Sequence, residues 1–218
     1  MLLDSGCVVC HKTPGPVCAT CKATLRPAGQ LAVPGLDRCR VGFVLDDQSR
    51  PIIAAFKYRR QRRIARWLAN EFAGKVPQSA DVITWVPATL ERRRTRGFDQ
   101  AQELARALSR LVLVPAVELL RRDSDDQRQT GRCRSERQVG PALRSVRPAP
   151  PFVVLIDDVV TTGSSMSRAA AAIREGRRSL GEVAEPERIV GVAIAATPSL
   201  RDVYPHGLEN GSTIYPWT

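Results

Sequence analysis

Short apolar runs alternate with amphipathic stretches along most of the chain. The runs 81–86, 153–156 and 188–196 have the length and β-branched content of strands that are buried on both faces. Apolar residues at helical spacing follow in 101–111 and 166–173. This alternation predicts an α/β fold in which a mainly parallel sheet is flanked by helices, with ligands bound at the carboxyl ends of its strands.

The pattern is weaker elsewhere. Residues 41–45 and 117–120 predict two short strands, and an apolar stripe within 61–72 predicts a helix with a basic outer face. The prolines and glycines of 26–38 indicate a linker. Residues 121–151 are polar and lack apolar periodicity, which is typical of an active-site lid or a disordered connection.

These patterns divide the chain into three parts. We expect a small N-terminal unit with its linker in 1–40, a main domain in 41–198, and a tail in 199–218 that shows no recognisable pattern. No apolar run approaches the roughly 20 residues that span a bilayer. The N-terminus also lacks a basic region before an apolar stretch, so we expect a cytoplasmic protein.

The formal net charge of the 218 residues is +11, and arginine supplies nearly all of the positive charge. Such a balance favours anionic partners such as nucleic acid or phosphorylated metabolites, although a general solubility bias produces the same number. Four arginines, Arg92, Arg93, Arg94 and Arg96, lie in the predicted strand-to-helix loop 87–97. A fork of guanidinium groups suits a pyrophosphate, and a plain charged loop is the alternative.

Four cysteines near the N-terminus follow the spacing C-x2-C-x7-C-x2-C, at positions Cys7, Cys10, Cys18 and Cys21. Each C-x2-C can turn two thiolates toward one point, and two such turns supply the four sulfur ligands of a structural Zn²⁺ site. Four cysteines so close together are hard to explain as disulfides in a reducing compartment. A lone redox-active C-x2-C is the alternative.

The segment 153–165 carries the most specific chemistry. An apolar strand leads to Asp157 and Asp158, then Val159 and Val160, and then a small hydroxyl-rich turn before a helix that begins near Ser164 or Ser165. A helix N-terminus favours an anionic group, and carboxylates can accept hydrogen bonds from sugar hydroxyls or help to hold a hydrated divalent cation. A buried strand with a polar turn explains the hydroxyls but not the adjacent aspartates.

This segment resembles the phosphoribosyl-pyrophosphate (PRPP) binding motif of type I phosphoribosyltransferases. With the cysteines and the arginine loop, it resembles the ComF family of competence-associated, phosphoribosyltransferase-like proteins, over nearly the whole chain to about residue 198. The residues that carry the resemblance are the four cysteines, Phe56, Lys57, Tyr58, Val86, Pro87, Arg96, Gly97, Phe98, Gln100, Leu104, Ala105 and 153–165. Asp99 stands where the family often has asparagine.

The resemblance implies a type I phosphoribosyltransferase-like sheet with an N-terminal four-cysteine zinc knuckle. It implies catalytic roles for Asp157 and Asp158 and pyrophosphate-binding roles for Lys57, Arg92 and Arg96. In the lid, Gln129 and Arg137 align with a family glutamine and arginine. The PRPP loop implied by the motif comprises Val159, Val160, Thr161, Thr162, Gly163, Ser164 and Ser165.

Two functions are consistent with these features. The first is an enzyme, a Mg²⁺-dependent phosphoribosyltransferase (a glycosyltransferase) that displaces pyrophosphate from PRPP or a related ribose phosphate with an unidentified acceptor; whether there is turnover is left open. The second is a non-catalytic protein in which the same fold binds single-stranded DNA or a helicase-type competence partner. Under either function, the resemblance implies a role in DNA uptake during natural transformation. A scaffold with a vestigial pocket is a third alternative.

Overall fold

A computed structural model of the chain describes residues 6–12, 15–58, 62–122, 142–179 and 186–198. The predicted lid residues Gln129 and Arg137 and the tail 199–218 lie outside the described residues. In chain order the elements are α1 (Ala19–Ala23), β1 (Pro27–Leu31), β2 (Arg38–Val44), α2 (Arg50–Tyr58), α3 (Arg62–Phe72), β3 (Val82–Trp85), α4 (Leu90–Arg96), α5 (Gln100–Val112), β4 (Leu120–Arg122), β5 (Leu143–Ser145), β6 (Phe152–Val160), α6 (Ser164–Ser179) and β7 (Arg188–Ala196).

The central sheet has five strands in the order β1-β2-β7-β6-β3. Strands β2, β7, β6 and β3 are parallel to their neighbours, and β1 pairs antiparallel with β2 at one edge. Strand β7 has the bounds predicted for it, and α6 begins at Ser164 as predicted. The predicted fold class, a mainly parallel α/β sheet flanked by helices, is therefore confirmed.

Two apolar layers cover the sheet, one on each face. Alternate side chains of a strand point to opposite faces, and β6 shows this directly. Val154 and Ile156 pack in the layer that contains α3 and α5, whereas Val153 and Leu155 pack in the layer that contains the first turns of α6. Because all four side chains are fully buried, β6 reads as a continuous apolar run rather than as an alternating one.

Strand β1 occupies part of the predicted linker 26–38, so that prediction is wrong for residues 27–31. The strand pairs with β2 from Pro27↔Phe43 to Leu31↔Cys39 and buries only Ala28 and Leu31. An edge strand tolerates proline and glycine because one side of its backbone needs no partner. The division of the chain at residue 40 remains a prediction, although β2 crosses that point.

Three other elements differ from the predictions. The predicted loop 87–97 contains the helix α4, which follows the capping residue Thr89 and ends at Gly97 with a positive φ of 74°. Residues 117–120 do not form a strand of the main sheet; β4 pairs antiparallel with β5, within the predicted lid, in a separate two-stranded sheet. Strand β6 continues beyond Ile156 to Val160, so the aspartates lie within the strand.

Gly42 tests the packing of α3 on the sheet. A methyl group added to Gly42 would lie 2.1 Å from Cζ of Phe72 and 2.8 Å from the carbonyl oxygen of Ile194. We expect Gly42→Ala to lower the free energy of unfolding by about 1–3 kcal/mol through overpacking, as measured by urea denaturation. The matched control is Gly74→Ala, where the added methyl group has nothing within 4 Å. Equal stability of the two variants would contradict this packing.

Candidate functional site

Asp157 and Asp158 occupy adjacent positions at the carboxyl end of β6, where the strand is still paired with β7. Asp157 lies opposite Ala193, and Val159 lies opposite Ala195. Asp158 lies beside Lys57 and Arg96, whereas Asp157 lines the hollow at the turn 161–165. The sequence predicted both aspartates at the end of the strand but not these separate neighbours.

Two cations converge on Asp158. Nζ of Lys57, in the last turn of α2, lies 3.2 Å from Oδ2 of Asp158, and Nη1 of Arg96, in the last turn of α4, lies 3.8 Å from the same oxygen. The same Arg96 nitrogen donates a hydrogen bond of 2.7 Å to Oε1 of Gln100. The structure thus brings together three residues that are distant in sequence and that were predicted to be site residues.

Asp99 connects the segment before α4 to the start of α5. Its carboxylate accepts hydrogen bonds from the backbone N–H of Ala88, at 2.8 Å, and of Gln102, at 3.3 Å, so that it caps α5 and ties the start of the α4 segment to it. Asp99 is only 4% exposed, and this burial raises the pKa of its carboxyl. Sequence reasoning noticed Asp99 only as a departure from the family pattern.

The surroundings of Asp157 disfavour the charged form of its carboxyl. Burial, together with the neighbouring charge of Asp158, raises the pKa of the Asp157 carboxyl well above its usual range. Its Oδ1 accepts a 2.8 Å hydrogen bond from the backbone N–H of Asp158. On the same side of the sheet, burial and the charge of Asp157 raise the pKa of Cys39 to about 12, which makes that thiol an unreactive core residue.

The hydroxyl-rich turn 161–165 forms the N-terminal start of α6. Gly163 has a φ of 76° and packs against Val33, so a side chain there would be strained. The Thr162 hydroxyl donates to Oγ of Ser164 at 3.0 Å. Asp157 and residues 159–166 line one hollow at this turn. Free backbone N–H groups at a helix start, with hydroxyl donors beside them, make this hollow suited to an anion.

The arginines that were predicted to bind pyrophosphate lie on α4 and differ in their exposure to solvent. Arg96 is partly buried and points at Asp158, whereas Arg92, Arg93 and Arg94 are exposed. Arg122, at the end of β4, joins the site although sequence reasoning missed it. Its Nε donates a 2.6 Å hydrogen bond to the carbonyl oxygen of Pro87, at the carboxyl end of β3. No pattern around Arg122 distinguishes it from the many other arginines of the chain.

The four N-terminal cysteines converge on one point. Their sulfur atoms all lie within 4.8 Å of one another, and Sγ of Cys10 lies 3.8 Å from Sγ of Cys18. Four thiolates about 2.3 Å from a tetrahedral Zn²⁺ would lie about 3.8 Å apart. The backbone N–H of Cys18 also donates to Sγ of Cys7 at 3.4 Å, as expected for a thiolate ligand. The cluster can therefore hold a structural metal ion, and both C-x2-C pairs take part in it.

The membrane prediction also has a structural counterpart. Among the described helices, none combines the length and the apolar character required to cross a bilayer.

Asp157 has a testable effect on stability. In the unfolded chain this carboxyl ionises near pH 4, whereas in the folded chain its pKa is raised, so the native state loses stability as the pH rises above about 4. We expect Asp157→Asn, which keeps the acceptor Oδ1, to be more stable than wild type at pH 8 and equal to it below pH 4, by thermal denaturation.

The control for this experiment is Asp158→Asn, which removes a carboxylate that is paired with Lys57 and Arg96. This variant is not expected to be more stable than wild type at pH 8. If Asp157→Asn is less stable than wild type at every pH, the proposed burial cost at Asp157 is wrong.

Comparisons with known proteins place this geometry in context. No family model matches the chain. Among solved structures, an allosteric regulatory enzyme of purine biosynthesis matches with a TM-score of 0.41 and 20% identity, covering 65% of this chain and 30% of that one. An adenine phosphoribosyltransferase matches with a TM-score of 0.40 and 15% identity, over 73% of this chain and 80% of that one. The orotate phosphoribosyltransferase of Aeropyrum pernix matches with a TM-score of 0.36 and 17% identity, over 84% and 93%.

A curated protein is also similar to this chain in sequence. Competence protein ComFC of Bacillus subtilis (strain 168) is 28% identical over 137 residues, which cover 61% of this chain and 56% of that protein. The match thus spans little more than half of the relative's length. The similarity to a competence protein agrees with the resemblance that the motifs predicted, and the chain itself has a mainly parallel α/β sheet.

Proposed function

We propose that this protein binds PRPP with Mg²⁺ at the carboxyl end of β6 and transfers its phosphoribosyl group to an acceptor. The observation that carries the proposal is the convergence of Lys57 and Arg96 on Asp158. This contact lies at the end of β6, directly before the hydroxyl-rich turn 161–165. Cations beside an anion-binding helix start, with carboxylates between them, match the three parts of PRPP: a pyrophosphate, a phosphate and a sugar diol.

Each part of the ligand has a matching set of residues. The turn 161–165 offers backbone N–H groups and hydroxyls to the 5-phosphate. Asp157 and Asp158 offer carboxylate oxygens to the ribose hydroxyls, and Lys57 and Arg96 offer charge-assisted hydrogen bonds to the pyrophosphate. Lys57 and Arg96 are then shared between the carboxylate and the incoming anion, and their positive charges offset part of the repulsion between these two negative groups.

The residues of the site also fit a Mg²⁺ ion. This ion keeps most of its water and binds proteins through one or two carboxylates together with substrate phosphates. Asp157 lines the hollow at the turn 161–165, and its carboxylate could take such a role there. When bound, the ion would neutralise part of the charge of the pyrophosphate and so make it a better leaving group.

The reaction we propose is a displacement at the anomeric carbon. The bond from this carbon to the pyrophosphate oxygen breaks, and the electron pair leaves with the pyrophosphate. A lone pair of the acceptor forms the new bond, and the acceptor's proton passes to solvent. Asp157 and Asp158 would stabilise the positive charge that develops on the sugar, while Lys57 and Arg96 would stabilise the departing anion.

We further propose a biological setting and a structural metal. The similar protein of Bacillus subtilis is a competence protein, so a role in the handling of imported DNA is proposed for this chain as well. We also propose that Cys7, Cys10, Cys18 and Cys21 hold Zn²⁺, because their spacing and their sulfur geometry suit a tetrahedral four-sulfur site.

The exposed arginines of α4 favour a second candidate function. Arg92, Arg93 and Arg94 are all exposed and carry no carboxylate partner among the ion pairs of the described residues. A basic surface of this kind can bind the phosphates of single-stranded DNA, in which case binding weakens as the salt concentration rises. This function needs neither aspartate of β6.

Calorimetric titration with PRPP and Mg²⁺ tests the first proposal. We expect Lys57→Ala and Arg96→Ala each to weaken PRPP binding about 10- to 100-fold, since each removes a charge-assisted interaction, and Asp157→Asn/Asp158→Asn to abolish it. The control is Arg38→Ala, at the opposite end of the parallel strands, which should bind as wild type does.

The same variants separate the two functions. If the wild-type protein does not bind PRPP but binds a fluorescent single-stranded oligonucleotide, and Arg92→Ala/Arg93→Ala/Arg94→Ala removes this binding, the DNA-binding alternative replaces the proposal. If the wild-type protein binds PRPP and the double aspartate variant does not, the proposal stands.

Metal analysis tests the cysteine cluster. We expect about one zinc per chain in the purified protein, and we expect Cys10→Ser/Cys18→Ser to lose the metal and to unfold at a lower temperature. The control is Cys39→Ala, a buried cysteine outside the cluster, which should keep its zinc. A metal-free wild-type protein whose melting temperature is unaffected by the double substitution would contradict this assignment.

A further inference from the structure

A groove of about 670 Å³ lies between α3 and α5, and residues of these two helices line it. Ala65 and Ala69 of α3 and Ala107 of α5 form part of its lining. Because these methyl side chains are small, the space between the two helices stays open. A volume of this size falls in the range of protein binding clefts.

Three arginines border the groove, Arg66 on α3 and Arg106 and Arg110 on α5. All three are exposed, and within the described ranges none of them makes a hydrogen bond or an ion pair. Arg106 and Arg110 are four residues apart on a helix and so lie on the same face. Glu103 is the acidic residue of the lining, so positive charge predominates around the groove.

Two exposed leucines continue the groove at the carboxyl end of α5. Leu111 lines the groove and is 48% exposed, and Leu113, the C-cap of α5, is 87% exposed. Leu113 also has a φ of 59°, in the left-handed region where glycine is the usual residue at a helix end. The chain thus keeps a large apolar side chain in solvent at a strained backbone position, and such outliers cluster at functional sites.

These features favour one class of occupant. A row of cations beside an apolar end suits a helix that carries leucines on one face and carboxylates next to them. Single-stranded nucleic acid fits less well, because none of the described lining residues is aromatic and Glu103 would repel phosphates. A second copy of the chain also fits less well, because a two-fold contact would place the arginines of both copies against each other.

We propose that the groove between α3 and α5 binds an acidic amphipathic helix of a partner protein. The three arginines would pair with its carboxylates, and the two leucines would pack against its apolar face. The 13 residues of α5 give a length of about 20 Å, which matches a partner helix of about four turns. The inference is independent of the proposed function, since neither Asp158 nor its two cationic partners line the groove.

Fluorescence anisotropy with two labelled peptides and the full chain tests the inference. The acidic probe is a helical peptide of about 14 residues, with leucines along one face and glutamates on both sides of that face. The basic probe has lysine in place of every glutamate. We expect wild type to bind the acidic probe at least about 10-fold more tightly than the basic one, because charge complementarity sets the preference.

Charge reversal in the groove should reverse this preference. Arg106→Glu/Arg110→Glu presents carboxylates to the probes, so we expect it to bind the basic probe more tightly than the acidic one. The matched control is Arg38→Glu/Arg188→Glu, which changes the net charge equally at two exposed residues outside the groove. This control should keep the preference of wild type.

Leu113→Gly separates binding from a purely structural role. Glycine adopts the left-handed conformation without strain, so this variant should melt at a higher temperature than wild type. It should nevertheless bind the acidic probe about 10-fold more weakly, because it lacks the apolar side chain. Unchanged probe affinity in Leu113→Gly would overturn the role of this leucine in docking.

Three other outcomes would overturn the inference as a whole. The first is that wild type does not bind the acidic probe. The second is that wild type binds both probes equally, or that Arg106→Glu/Arg110→Glu binds the acidic probe as wild type does. The third is that a fluorescent single-stranded oligonucleotide binds in place of the acidic probe and is lost in that variant, which would make the groove a nucleic-acid site.

Discussion

The convergence of Lys57 and Arg96 on Asp158 is the interaction on which this site depends. It brings the last turns of two helices, α2 and α4, to the carboxyl end of β6. The neighbouring Asp157 lines the hollow at the turn 161–165, where α6 begins. One strand end thus holds a carboxylate paired with two cations beside a turn that is suited to an anion.

The four-cysteine cluster packs on the same side of the sheet as the helix that carries Lys57. Cys7, Cys21 and Leu25 pack in the apolar layer that also contains α2, α3 and α5. Nζ of Lys22 forms a 2.7 Å ion pair with Glu71 of α3, which adds a polar link between the cysteine segment and that helix.

Sequence patterns predicted the elements that are buried and regular. Strand β7 and the start of α6 followed from apolar runs and from a hydroxyl-rich helix start, because both signals are local. Helix α4 was missed since it has no apolar stripe; it depends on the cap at Thr89 and on Gly97 rather than on periodicity. Strand β1 was missed because an edge strand that contains proline and glycine resembles a linker.

The same distinction between local and tertiary signals applies to the residues of the site. The motif predicted Asp157, Asp158 and the turn 161–165 as site residues, because all of them lie in one short segment of the sequence. Arg122 and the role of Asp99 could not be predicted, because each acts through one tertiary hydrogen bond, to the carbonyl oxygen of Pro87 and from the N–H of Ala88 respectively. Such contacts leave no periodic signal in a sequence that is rich in arginine.

The most direct test of the central claim is a crystal structure of the protein with PRPP and Mg²⁺. The account predicts the 5-phosphate within hydrogen-bond distance of the backbone N–H groups of 161–165, and the pyrophosphate within reach of both Lys57 and Arg96. Pyrophosphate bound only by the exposed arginines of α4, with no sugar contact to Asp157 or Asp158, would contradict it.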